Sequence, residues 1–140
     1  MTATKITVEA TTTASLQTAW DNYTKPEHIT KWNFASDDWH CPSSEIDLRV
    51  GGKMRSRMEA KDGSFGFDFE AEYTEIIPLK KIVYKIADGR EAATTFSEEN
   101  GKTKVTTIFE AESVNSVDLQ KGGWQAILNN YVKYCNEIRK

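Results

Sequence analysis

The chain has 140 residues, with 18 Lys plus Arg against 21 Asp plus Glu, a net charge of -3 and two cysteines. That length predicts one domain, residues 1–140, which buries roughly 68% of the surface its unfolded chain exposes and folds without staples. The charge balance and the lack of a basic tract argue against nucleic-acid and membrane-surface partners, and no apolar run spans a bilayer; the start MTATKITVEA lacks a signal-peptide pattern, so a cytoplasmic protein with reduced Cys41 and Cys135 is expected.

Lys5 to Thr12 alternates, with Ile6 and Val8 on one side, and predicts a first strand. Ser15 stands as an N-cap before LQTAWDNYT, and Pro26 opens a second short helix through EHITKWN. From Glu45 onward, Gly51-Gly52, Asp62-Gly63, Pro78, Asp88-Gly89 and Asn100-Gly101 punctuate alternating apolar runs, which predicts six consecutive antiparallel strands. In the last segment Trp124, Ile127, Leu128, Tyr131, Tyr134, Cys135 and Ile138 recur at spacings of three and four, the pattern of an amphipathic helix. Asn115 and Ser116 are candidate caps, and Gly122-Gly123 is expected to mark the helix entrance or a close approach.

The turns fix which residues face each other. Around Asp62-Gly63, Met58 falls opposite Phe67, Ser56 opposite Phe69 and Met54 opposite Ala71, while Arg57 faces Asp68 and Arg55 faces Glu70. One face is apolar and the other charge-paired, so the acidic run Asp68, Glu70, Glu72 reads as solvated surface rather than a carboxylate dyad. Around Asn100-Gly101, Phe96 meets Val105, Thr94 meets Thr107 and Ala92 meets Phe109, all inward. A three-residue bulged loop at Asp88-Gly89 turns Ile82, Tyr84 and Ile86 inward, in preference to the two-residue turn that would bury Lys85. At Gly51-Gly52 a bulge buries Ile46, Leu48 and Val50; a two-residue turn would instead turn Asp47 and Arg49 inward, and the desolvation of a charged pair favours the bulge.

The segment DDWHCP, Asp37 to Pro42, gathers carboxylates, an imidazole and a thiol. Adjacent His40 and Cys41 lack the spacing of a chelating pair, so no metal is expected. Pro42 biases Cys41 toward extended backbone, where neighbouring side chains diverge, so His40 is badly placed to activate the thiol. Trp32, Phe34 and Trp39 then read as anchors of a loop that forms a lid or rim.

The segments PEHITKW, DLRVGGKMR, DGSFGFDFEAEYTEIIP, IVYKIADGR, TKVTTIFEAE and GGWQAILNNY occur in this order along nearly the whole chain. Together they resemble bacterial proteins like the C-terminal domain of the activator of Hsp90 ATPase, in the START-like, Bet v 1-like superfamily that also contains polyketide cyclases. The resemblance implies an α+β helix-grip fold: a seven-stranded antiparallel sheet curved around a long C-terminal helix, with two short helices after the first strand. It also implies a cavity between sheet and helix. The family's double Trp followed by Gly-Pro is replaced here by Trp32 and NFASDDWHCP.

The expected function is non-enzymatic binding of a small apolar, amphipathic or lipid-like ligand by Trp32, Trp39, Met54, Met58, Phe67, Phe69, Tyr84, Phe96, Phe109, Trp124 and Leu128, with no cofactor. A second reading is a cavity enzyme of cyclase, dehydratase or hydrolase type, with His40, Asp47, Arg49 and Tyr84 as candidate proton-transfer groups. A third is protein interaction, including chaperone binding, through the charged outer face of the sheet, and a homodimer is a further expected partner state.

Overall fold

A computed structural model of the chain describes residues 4–138. Strand β1 (Lys5–Thr12) leads into helix α1 (Leu16–Thr24), whose first turn is capped by the Ser15 hydroxyl accepting from the Thr18 N–H at 3.2 Å. Helix α2 (Pro26–Ile29) follows, with Pro at its first turn, and is shorter than the sequence pattern predicts because Thr30 already caps it. Strands β2 (Trp39–Ile46), β3 (Lys53–Ala60), β4 (Gly66–Ile77), β5 (Lys81–Ile86), β6 (Glu91–Glu99) and β7 (Lys102–Glu110) then form a meander, and helix α3 (Val117–Ile138) ends it.

The seven strands make one antiparallel sheet in the order β1-β7-β6-β5-β4-β3-β2. The sheet curls around α3, which packs against β1, and α1 closes the same side. The core between them contains Ile6, Val8, Trp20, Ile82, Phe96, Val105, Phe109, Leu128, Tyr131 and Cys135. Phe109 is stacked flat on Trp124, with ring centroids 3.9 Å apart, and so ties β7 to the first half of α3.

The β3–β4 register pairs Met58 with Phe67, Ser56 with Phe69 and Met54 with Ala71, and Arg57 with Asp68 and Arg55 with Glu70. The outer face is charge-paired: Arg57 reaches the expected Asp68 at 3.5 Å and also Glu59 at 2.8 Å, while Arg55 bonds Glu45 on β2 at 3.0 Å rather than Glu70 opposite it. The β6–β7 hairpin turns through Asn100 (φ 53°) and Gly101 (φ 79°) and sets Ala92, Thr94 and Phe96 against Phe109, Thr107 and Val105. Between β5 and β6 the loop is three residues long, closed by the Ile86 N–H donating to the Arg90 carbonyl at 2.6 Å. Tyr84 therefore pairs with Ala92, and Ile82, Tyr84 and Ile86 are buried while Lys85 is exposed.

Three expectations need correction. The DDWHCP segment is only partly a loop: Asp37 and Asp38 lie in the turn, but Trp39 to Pro42 already belong to edge strand β2, whose pairing shifts between His40 and Ser43. An edge strand with a bulge tolerates a proline because its missing N–H faces no partner strand. Leu48 (39% exposed) and Val50 (61%) are not buried. Residues 47–52 leave the strand and fold over β4, where Gly51 and Tyr73 exchange an N–H···O bond of 2.8 Å and Tyr73 and Gly52 one of 2.9 Å. Gly51 takes φ +85°, and a Cβ on Gly52 would sit 2.1 Å from the Asp47 carbonyl oxygen, so this close fold-back requires the glycine pair.

The third correction is Gly122-Gly123, which lies inside α3 rather than at its entrance, with nothing within 4 Å of an added Cβ at either position. The helix starts one turn earlier than the apolar spacing suggests. Of the two candidate caps Ser116 fills the role, accepting from the Leu119 N–H at 3.0 Å, while the Asn115 N–H donates to the Glu112 carboxylate. The side chain of Ile138 lies outside the described residues.

Candidate functional site

The curl of the sheet leaves a cavity of about 390 Å³ against α3. Its walls come from the inward parity of β3 and β4 (Met54, Ser56, Met58, Phe67, Phe69, Tyr73), from Ile82 and Tyr84 of β5, and from Trp124, Ile127 and Leu128 on one face of α3. Tyr23 of α1, Ile29 of α2 and Trp32 just beyond it close the remaining side. Tyr23 is stacked on Trp32 at 5.6 Å and meets Tyr131 edge-on at 5.4 Å, and the Trp32 indole N–H donates to the Asn22 carbonyl at 2.9 Å. This brace holds the helical wall in place.

The polar lining is sparse and almost entirely neutral. The Tyr23 hydroxyl shares a hydrogen bond with Thr94 at 3.0 Å, and Thr94 shares one with Thr107 at 2.8 Å. Ser56 is bonded to Ser44 at 3.0 Å. Burial pushes the phenols of Tyr23, Tyr73 and Tyr84 above their ordinary value of 10.0, so all three are hydrogen-bond donors at neutral pH and none is a base. Arg90 reaches the cavity because it continues the inward alternation of Ala92, Thr94 and Phe96. Its guanidinium is occupied: Nε donates to Asp88 at 2.8 Å and Nη1 to the Glu110 carbonyl at 3.3 Å. Glu112 also lines the cavity.

Of the residues proposed from sequence as cavity lining, Trp32, Met54, Met58, Phe67, Phe69, Tyr84, Trp124 and Leu128 do line it. Phe67, at 42% exposure, stands at its edge. Three do not line it. Phe96 is packed into the core against Trp20 and Tyr23, and Phe109 is sealed beneath Trp124. Trp39 belongs to a separate cluster with Phe65 and Phe67, at ring distances of 5.9 Å and 6.2 Å.

The candidate proton-transfer groups also separate. His40 points to the outer face, 3.6 Å from Glu59. Asp47 and Arg49 pair with each other at 2.8 Å in the exposed loop. Only Tyr84 of this set reaches the cavity. Cys41 donates to the Ser43 carbonyl at 3.4 Å, and burial pushes its thiol up, away from the nucleophilic thiolate. Among the described residues no cluster of three His, Cys, Asp or Glu side chains is placed to hold a metal ion.

Sequence reasoning missed Tyr23, Tyr73 and Arg90. The alternation Phe67, Phe69, Ala71 reaches Tyr73 in one more step, and the spacing Ala19, Trp20, Tyr23 marks the buried face of α1. Arg90 would have followed from extending the β6 parity to the turn.

Among the described residues no helix is long and apolar enough to cross a membrane. No curated protein matches the chain. An AHSA1-like protein from Aeromonas hydrophila, solved by NMR, superimposes with a TM-score of 0.90 at 38% identity, covering 96% of this chain and 93% of that one. A protein from Cytophaga hutchinsonii gives 0.82 at 40% identity, over 95% and 92%. A protein from Nitrosomonas europaea, at 16% identity and a TM-score of 0.81 over 95% and 94%, shares the fold. The family model for Activator of Hsp90 ATPase homolog 1-like proteins matches residues 13–136, and with the α+β helix-grip architecture described above the chain belongs to that family.

Proposed function

We propose that this protein binds a small, predominantly apolar molecule in the cavity between the sheet and α3. One observation carries the reading: a space of about 390 Å³ is walled by Met, Phe, Trp, Ile and Leu side chains, and its volume falls in the range of small-molecule sites, roughly 300–1,000 Å³. Met54 and Met58 give one wall adaptable side chains, while the Tyr23–Trp32–Tyr131 brace keeps the other rigid. The mostly neutral lining offers hydrogen-bond donors, and the carboxylate in it, Glu112, accepts from the Asn115 N–H, which favours binding over proton-transfer catalysis. A protein-docking role would rest on the charged outer face, where Arg55 and Arg57 are already engaged by Glu45, Glu59 and Asp68.

The test is a titration with N-phenyl-1-naphthylamine, an uncharged probe that fluoresces in apolar surroundings. The native protein is expected to bind it with a micromolar Kd. Leu128→Trp and Met54→Trp, which fill the cavity from opposite walls, are expected to weaken binding at least tenfold while circular dichroism stays native. No enhancement with native protein, or equal enhancement with both variants, would overturn the proposal.

A further inference from the structure

Tyr73 and Tyr84 face each other across the β4–β5 pair and both line the cavity. They are 4% and 5% exposed. The chain has five tyrosines, and the other three spend their hydroxyls inside the protein: Tyr23 on Thr94, Tyr131 on the Ala19 carbonyl and Tyr134 on His28. The Tyr84 hydroxyl has a weak contact with the Tyr23 hydroxyl, outside the geometry of a well-formed hydrogen bond, and among the described residues the Tyr73 hydroxyl has no side-chain partner. No fully enclosed side-chain polar atom in the described residues lacks a partner, so the Tyr73 oxygen, which has none, borders the open space of the cavity rather than being sealed in packing, beside Tyr84 in the same lining. Two phenols on facing positions of paired strands, one without a side-chain partner and the other only weakly held, form a recognition element, because a buried donor without a good acceptor carries a desolvation cost that an incoming acceptor relieves.

We infer that Tyr73 and Tyr84 are a two-donor site for one uncharged oxygen acceptor, such as a carbonyl or ether oxygen, on the molecule that occupies the cavity. The inference rests on the proposed binding function and adds to it the polar end of the ligand. An uncharged acceptor fits better than an anion for two reasons. Among the described residues the only cationic group in the lining, Arg90, is already held by Asp88 and the Glu110 carbonyl, and Glu112 brings a carboxylate to the same wall. A carboxylate or phosphate would enter a low-dielectric space with no free counter-charge.

The experiment compares shape-matched probes, 2-acetylnaphthalene, 2-ethylnaphthalene and 2-naphthoate, by calorimetric titration of the full chain and of Tyr73→Phe and Tyr84→Phe. The native protein is expected to bind the ketone about fivefold more tightly than the hydrocarbon, the size of one net hydrogen bond, and the carboxylate more weakly than the ketone. Each Phe variant should shrink the ketone's advantage and leave the hydrocarbon Kd unchanged, a split that a general loss of structure would not produce. Equal affinities for ketone and hydrocarbon, an advantage that survives in both variants, or a preference for 2-naphthoate would overturn the two-donor site while leaving the cavity a binding site. Failure of every probe to bind would overturn the binding reading together with it.

Discussion

Tyr23 and Tyr73 face the same cavity, but their hydroxyls do different work. Tyr23 is the end of a chain that runs through Thr94 to Thr107 and links α1 to β6 and β7. Among the described residues Tyr73 is hydrogen-bonded only through its backbone, by the two bonds to Gly51 and Gly52. Removing one oxygen atom should therefore give opposite results. Tyr23→Phe is expected to lower stability by about 1 kcal/mol, since Thr94 loses a partner in a dry environment, and Tyr73→Phe to leave it within about 0.5 kcal/mol or raise it slightly. Urea denaturation of the two variants checks this. His40, Asp47 and Arg49 illustrate what residue type alone conceals: each is chemically competent, and each is directed outward by a backbone feature. For His40 this is the β2 bulge, and for the Asp47–Arg49 pair it is a loop folded over β4.

Among the elements, the hairpins were the most legible. An Asn-Gly pair or an even-numbered loop fixes parity, and parity fixes every side chain of both strands at once. This is why Met54, Met58, Phe67, Phe69 and Tyr84 could be assigned from sequence to the cavity side, where the structure has them. Residues 47–52 were not legible, because their path depends on main-chain bonds to Tyr73, a residue more than twenty positions away. Phe96 and Phe109 show a different limit: alternation gives the face of a strand, but whether an inward ring lines a void or is covered depends on where Trp20 and Trp124 land. Helix α3 carries a testable weakness. Gly122 and Gly123 sit in its second turn with open space around them, so each lowers helix stability without serving a close contact. Gly122→Ala and Gly123→Ala are expected to stabilise the protein by about 0.5–1 kcal/mol each, measured by thermal or urea unfolding. No gain at either site would mean that the glycines serve a motion of α3.

The molecule as a whole is a sheet that wraps a helix without filling the space between them, and its tyrosines report that enclosure. Burial raises the pKa of all five, including Tyr131 and Tyr134. The sign follows from linkage: below pH 10.0 both folded and unfolded chains hold the phenol protons, so this stability is complete; above it the unfolded chain releases protons that the folded chain keeps. Stability is therefore expected to fall as pH rises from about 10 through the raised folded values, with phenolate absorbance appearing together with loss of circular dichroism. Phenolate absorbance from most of the tyrosines at pH 10 in a still-folded protein would show that the interior is open to water.

The overall fold was readable because turn chemistry, alternation and the change of period at α3 all agreed, whereas the cavity is a property of the space those elements leave and no single segment encodes it. Its most direct test is to locate the bound probe by nuclear Overhauser effects from N-phenyl-1-naphthylamine to assigned methyl groups. The account predicts contacts to the methyls of Met54, Met58, Ile127 and Leu128. Contacts confined to Trp39, Phe65 and other rim residues, with those four methyls silent, would contradict it.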